Sequence, residues 1–186
     1  MDYFSSSCYF SASTRFNGEN EEGMVMRKKR VMVVIDESSG AKQAMMWALT
    51  HVANGGDLLT LLYVVKSSDH SADGRSKEEE AACFAKSLAS FCKACKPEVQ
   101  TEALAIKGPK LDTVLSQVKK LEASVLVLSQ SKPSAFSCLF KRSSEEFVEQ
   151  CIDRAECLTM SVRKQSRGVG GYLVSTRWQK NFWLLA

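Results

Sequence analysis

Short apolar runs alternate with helical stripes from residue 30 onward. Residues 31–35 form a continuous apolar run rich in valine, which is typical of a strand buried on both faces. Apolar residues then recur at intervals of three and four, the spacing of one helix face, until Gly55 and Gly56 end the pattern. Repetition of this unit predicts strands over 31–35, 58–65, 99–106, 124–128 and 158–163. Helices are predicted between them, over 41–52, 81–95, 109–121 and 147–155.

The alternation of strands and helices places the chain in the α/β class. We expect a single doubly wound sheet of five parallel strands, in the order 3-2-1-4-5, with helices on both faces. Strands one and four are apolar throughout and are predicted at the centre, whereas strands three and five contain alternating polar residues and are predicted at the edges. Such sheets bind ligands beyond the carboxyl ends of their strands where the strand order reverses, so functional residues are expected after Ile35 and Leu128.

The 186-residue chain divides into three predicted segments. Residues 1–29 are rich in serine and are predicted to be disordered, residues 30–165 contain the α/β domain, and residues 166–186 form a basic, aromatic tail. The tail contains Trp178 and Trp183 and no acidic residue. Three roles stay open for it: folding back over the domain, binding a protein partner or dimer mate, or contacting a membrane surface.

Composition and charge exclude several classes of protein. Hydrophobic residues make up 45% of the chain and charged residues 25%, which is the balance of a globular protein. The longest apolar runs are far shorter than the roughly 18 residues that a membrane span needs, so no span is predicted. The net charge of +4 is concentrated at the two ends of the chain, around a slightly acidic body. A folded basic face for nucleic acid is therefore not expected.

The seven cysteines are odd in number and show no framework spacing, which indicates a reducing compartment. Cys92 and Cys95 form a C-x-x-C pair, but they continue the buried stripe at the end of a helix, so core packing is favoured over redox chemistry. The first thirty residues lack a secretory apolar region. We predict a cytoplasmic protein; the basic run 27–30 leaves a nuclear location open, and the serine-rich start leaves a plastid location as a minor alternative.

Two polar segments follow the central strands. Asp36 could accept hydrogen bonds from a sugar hydroxyl or a base amino group, or it could favour the start of the next helix, with Ser38 or Ser39 as the cap. Ser143 and Glu146 have the spacing of a capping box. A helix start at that place would offer backbone N–H groups to a phosphate, although a plain cap is the favoured interpretation.

These residues support a resemblance to a known family. The tripeptide Asp36-Glu37-Ser38 after an apolar strand, the run 61–65 in the second strand, and the strand, loop and serine-led helix of 124–155 resemble the universal stress protein family over about 30–163. The segment 171–186 is similar to the tail of a plant group of these proteins. The resemblance implies an α/β domain, often dimeric through the last strand, with ATP bound at the switch point in some members.

The resemblance also implies roles for single residues. Asp36 matches the family's adenosine-contacting aspartate, and Val64 matches the strand-two residue whose backbone meets adenine. The phosphate loop of the ATP-binding members contains glycines, and Ser129, Lys132 and Arg142 stand in their places here; only Ser143 matches. Glycine permits a positive φ and a close backbone approach to phosphate, so its loss is expected to weaken or abolish ATP binding. The alternative is that the two basic side chains act as phosphate ligands themselves.

The residues and the resemblance together leave two functions open. The favoured one is a regulatory or interaction protein in stress response with a degenerate nucleotide site, dimeric through the fifth strand and open to a protein partner at its tail. The alternative is an ATP-binding member, with Mg-ATP as the cofactor and slow or no hydrolysis. No Ser-His hydrolase chemistry and no zinc site is expected, because His51 and His70 are the only histidines and lie far from both key loops.

Overall fold

The computed structural model describes residues 28–66, 74–130, 141–165, 171–178, 180 and 182–185, with side chains left out for 74–76, 141–143 and 182–185. The strands are β1 Arg30–Ile35, β2 Leu58–Val65, β3 Gln100–Lys107, β4 Val125–Ser129, β5 Leu158–Gln165, β6 Gly171–Ser175 and β7 Phe182–Leu185. The helices are α1 Ser39–Trp47, α2 Gly74–Cys95, α3 Lys110–Lys120 and α4 Lys141–Arg154. A π-helical segment, Ala48–Val52, continues α1.

The described strands form one sheet in the order β3-β2-β1-β4-β5-β6-β7. The first five run parallel in the predicted order 3-2-1-4-5, so this part of the prediction is confirmed. The central position of β1 and β4 is confirmed as well, because the side chains of 31–35 and 125–128 are all buried. Two antiparallel strands, β6 and β7, extend the sheet beyond the prediction.

The fifth strand is therefore not an edge, although its alternating pattern predicted one. Val162 of β5 pairs with Val174 of β6, and both side chains are buried. Because β6 pairs with residues 161–165 of β5 on the side opposite β4, that part of the strand is not a free edge for the predicted homodimer. The apolar residues of β6 follow a glycine-rich stretch at 168–171. Such a stretch is typical of a flexible linker, so the sequence pattern did not predict a strand there.

Helices cover both faces of the sheet. On one face, the core includes Met45 of α1 and Cys92 of α2 against β1 and β2; on the other, Val118 and Val148 of α3 and α4 pack against β1, β2 and β4. Each fully buried aliphatic side chain contributes about 1.5–3 kcal/mol. Burial, with a smaller effect of Cys95, raises the pKa of the Cys92 thiol to about 12, so this thiol behaves as a small hydrophobe. The prediction of core packing for this residue is confirmed.

The helix ends refine two predictions. Ser38 caps α1, because its Oγ accepts a hydrogen bond of 3.1 Å from the backbone N–H of Ala41. The capping box at Ser143 and Glu146 is wrong: α4 already includes Lys141, and Glu146 accepts a hydrogen bond of 3.1 Å from Gln150 instead. Lysine and arginine have high helix propensity, so the helix begins at Lys141, two residues before Ser143.

Among the described residues, no helix combines the length and apolar character needed to cross a bilayer.

Candidate functional site

The turns that follow β1, β2 and β3 meet at one edge of the sheet and enclose a cleft of about 650 Å³. We call it the first cleft. Parallel strands bring their carboxyl ends to the same edge, so residues distant in sequence converge there. Asp36 and Val64, both predicted as site residues, line it together. The other lining residues are Ile35, Glu37, Ser38, Tyr63, Val65, Lys66, Lys77, Glu80, Ala81, Phe84 and Lys110.

Asp36 has two partners in the cleft. Its Oδ1 accepts a hydrogen bond of 2.9 Å from the backbone N–H of Ser38, and its Oδ2 lies 3.8 Å from the Nζ of Lys110. The first contact holds the turn between β1 and α1, which corresponds to the predicted role at the helix start. The side chain is nevertheless 40% exposed, so part of the carboxylate still faces the cleft and can accept hydrogen bonds from a ligand.

An aromatic pair forms one wall of the first cleft. The rings of Tyr63 and Phe84 meet edge to face with their centroids 6.1 Å apart, and Lys42 places its Nζ 5.7 Å from the Phe84 centroid. The Tyr63 hydroxyl donates a hydrogen bond to Glu37. Burial first, and then the hydrogen bond and charge of Glu37, raise the pKa of Tyr63 to about 12. The phenol is therefore neutral at physiological pH.

Lys110 lines the first cleft without having been predicted from the sequence. It begins α3, approaches Asp36, and places its Nζ 4.8 Å from the centroid of the Phe147 ring on α4. The signal was present, because Gly108 and Pro109 mark the turn after the third strand, and every such turn lies at the ligand-binding edge. Lys66 and Lys77 line the same cleft and add positive charge to it.

Gly108 packs closely against the start of α3, and a side chain there would force Thr113 to move. A Cβ at Gly108 would lie 2.5 Å from the Oγ1 of Thr113, a residue 9% exposed in the first turn of α3. The backbone N–H of Gly108 also donates a hydrogen bond of 3.0 Å to the carbonyl of Val65. Pro109, predicted as the first helical residue, instead takes the N-cap position, so that α3 begins one residue later, at Lys110, which lines the cleft.

The predicted phosphate-side residues are placed less completely. Ser129 ends β4 and lies beside α1, where a Cβ added to Gly40 would be 3.7 Å from the Ser129 Cβ; it is not among the residues lining the first cleft. Arg142 and Ser143 belong to the backbone of α4, and their side chains lie outside the described residues, as does all of Lys132. The structure thus brings together the two residues expected at the nucleoside, whereas of the expected phosphate set it describes only the side chain of Ser129.

The structure offers no catalytic histidine or metal cluster here among the residues it describes. No group of three histidine, cysteine, aspartate or glutamate side chains within those residues could hold a metal ion. The ring of His51 stacks on Trp47 with centroids 5.6 Å apart, at the far end of α1, and does not line the first cleft. His70 lies outside the described residues.

The family assignment follows from this fold and from a direct match of the sequence. The model of the universal stress protein family matches residues 28–163. The chain belongs to the universal stress protein family. The match covers the parallel sheet, both key turns and α4, and it ends within β5. No curated protein matches the sequence.

Solved structures of other family members share the fold. Universal stress protein UspA from Lactobacillus plantarum is 20% identical, with 74% of this chain and 99% of that chain covered and a TM-score of 0.54. A universal stress protein family protein from Arabidopsis thaliana, solved with AMP bound, is 21% identical over 72% and 89% of the two chains, with a TM-score of 0.51. The universal stress protein from Archaeoglobus fulgidus in complex with dAMP is 12% identical over 73% and 98%, with a TM-score of 0.55.

Proposed function

We propose that this universal stress protein is a non-catalytic regulatory protein that binds adenine nucleotides by their nucleoside and first phosphate and makes little use of the outer phosphates. The observation that carries the proposal is the joint position of Asp36 and Val64 in one open cleft of about 650 Å³. That volume is within the range of small-molecule sites, about 300–1,000 Å³.

The nucleoside part of the site has the required chemistry. The exposed oxygen of Asp36 can accept a hydrogen bond from a ribose hydroxyl, and Val64 offers backbone groups to the base at the end of β2. Tyr63 and Phe84 supply an aromatic wall beside them. The AMP and dAMP that accompany the two relatives named above support an adenine nucleotide as the ligand class.

The phosphate part differs from a glycine-rich loop. Ser129, Lys132 and Arg142 replace glycines, and Lys110 and Lys66 instead contribute positive charge near Asp36. A lysine ammonium binds phosphate as a point charge on a flexible stem, without the fixed backbone donors of a phosphate loop. We therefore expect one phosphate to be bound well and further phosphates to add little. In the alternative, Lys132 and Arg142 hold the outer phosphates together with magnesium and the protein is an ATP-binding member.

The test is a calorimetric titration of nucleotide-free protein with adenosine, AMP and Mg-ATP. We expect AMP and Mg-ATP to bind within about threefold of each other, and Asp36→Ala to weaken both at least about tenfold, the effect of losing a charged hydrogen bond. Asp112→Ala is the matched control, because Asp112 is exposed in the first turn of α3 and does not line the cleft.

Two other outcomes would reject this proposal in different ways. Mg-ATP binding about a hundredfold tighter than AMP would establish the ATP-binding alternative. The absence of binding heat with adenosine, AMP and Mg-ATP would mean that the domain does not bind these nucleotides and acts only as a scaffold.

We also propose that the protein is a cytoplasmic homodimer and that its 166–186 tail binds a protein partner. A dimer through residues 161–165 of β5 would require β6 to leave that strand, since those residues are paired with 171–175. Sedimentation of the full chain, over a range of concentrations, tests whether a dimer forms with β6 in place.

A further inference from the structure

A second cleft, of about 330 Å³, lies between α4, the middle of β5, and the ends of β4 and β6. Among the described residues, its lining shares no member with the first cleft and does not include Asp36, Val64 or Ser129. Gln130 and Ser161 lie on the sheet side, and Val148 and Ile152 of α4 form an apolar wall. The remaining residues that line it are Glu145, Glu149, Asp153, Ser175, Thr176, Arg177 and Lys180.

Two buried polar atoms of this cleft are unsatisfied. The Oε1 of Gln130 and the Oγ of Ser161 have no hydrogen-bond partner within the part of the chain that the structure describes, and Ser161 is 0% exposed. Buried polar groups in folded proteins are nearly always paired, because leaving one unpaired forfeits its hydrogen bonds with water. A ligand that donates hydrogen bonds at this place would satisfy both atoms.

The charges around the cleft favour a cationic donor. The two basic side chains among the described lining residues are already engaged: Lys180 pairs with Glu149 at 3.3 Å, and Arg177 donates to the backbone carbonyls of Ile152 and Asp153. The carboxylates of Glu145 and Asp153 form no ion pair with any described residue. The cleft therefore presents mainly acceptors, and its carboxylates do not converge as a metal-binding cluster among the described residues.

We propose that the second cleft binds a small aliphatic amine in its ammonium form. An ammonium group has three donors, which match Gln130 Oε1, Ser161 Oγ and one of the α4 carboxylates, Glu145 or Asp153. A short alkyl chain packs against Val148 and Ile152. A phosphate or carboxylate ligand is disfavoured, because it would place its oxygens against Gln130 Oε1 and the carboxylates of α4.

The test is a titration of the full chain with 1-aminobutane hydrochloride, followed by backbone amide shifts in NMR at about 0.15 M salt. The expected dissociation constant is about 1 mM, which is the range for so small a ligand. We expect 1-butanol, which has the same shape without the charge, to bind at least about tenfold more weakly. Equal binding of the alcohol would overturn the proposal, as would the absence of shifts around Ser161.

Variants of the cleft provide the second readout. Ser161→Ala removes a hydroxyl without a described partner, so the folded protein should be no less stable while its affinity for the amine falls about fivefold. Gln130→Glu keeps the shape and adds a charge, and it should tighten amine binding about tenfold.

A matched pair on α4 tests the carboxylate. At least one of Glu145→Gln and Asp153→Asn should weaken amine binding several-fold, whereas Glu146→Gln, which removes a carboxylate beside Glu145 but outside the described lining, should change nothing. If neither cleft variant weakened binding more than Glu146→Gln, the amine would respond only to general surface charge, and the proposal would fall. AMP should not compete with the amine, so this test stands apart from that of the nucleotide.

Discussion

The two clefts of the molecule are assembled in different ways. The first cleft is formed by the turns that directly follow β1, β2 and β3 and by one face of α2, so the parallel topology places Asp36 and Val64 while helix docking places Phe84. One side of the second cleft is supplied by β6 and the residues after it, because β6 returns to pair with β5 and brings Ser175 opposite Ser161. The first cleft should therefore persist as long as the central parallel strands remain folded. The second cleft should depend in addition on the pairing of β6 with β5.

The largest effect is expected when β6 is prevented from docking. Val174→Asp would place a charge at a residue that is 0% exposed and paired with Val162, and it should lower the free energy of unfolding by about 3–5 kcal/mol or release β6. Chemical denaturation measures the loss. Binding of 1-aminobutane should disappear, while AMP binding at the first cleft should persist wherever the central sheet remains folded.

The control for this variant is Trp178→Ser, at a side chain that is 79% exposed. It should leave the stability within about 0.5 kcal/mol of the original. If Val174→Asp abolished AMP binding under conditions where the far-UV spectrum is native, the two clefts would not be independent, and the first cleft would depend on β6 as well.

A smaller effect is expected at the first cleft alone. Lys110→Ala should weaken AMP about tenfold, or about 1.4 kcal/mol, and leave adenosine unchanged, because the ammonium is expected to contact the phosphate. Calorimetry with both ligands separates these effects. Lys120→Ala, an exposed lysine at the other end of α3, is the matched control, and equal losses in the two variants would show that only general charge matters.

The smallest effect concerns Tyr63. Its pKa is raised from 10.0 to about 12 in the folded protein, so the neutral phenol is favoured by folding, and the associated stability is constant at neutral pH. As the pH rises from about 10 to about 12, the unfolded state loses this proton first and the folded state loses stability.

Absorbance titration of the phenol and denaturation at each pH check this prediction. Tyr63→Phe should cost about 1 kcal/mol at neutral pH, by removing the hydrogen bond to Glu37, and should show a smaller loss of stability over that pH range. An unchanged pH profile in Tyr63→Phe would assign the loss to other groups.

Sequence patterns predicted the parts of the fold that depend on local hydrophobicity. Residues 31–35 and 125–128 are apolar at every position, and a strand with that pattern must be buried on both faces, so its central place followed directly. The strand 158–165 alternates on one side and resembled an edge, because nothing in its own residues records that β6 will pair with it. Likewise, the serine at 143 has the local pattern of a cap, but α4 already includes Lys141.

The sequence by itself determined the α/β class, the order of the five parallel strands, and the presence of Asp36 and Val64 at the ligand-binding edge. These features arise from short-range periodicity and from the rule that parallel strands end on one side of a sheet. Only the tertiary structure decided that Lys110 meets Asp36, that Tyr63 packs against Phe84, and that Gln130 and Ser161 share a cleft. Those partners are separated by twenty residues or more in the chain, and they come together only when helices and strands dock, which no local pattern encodes.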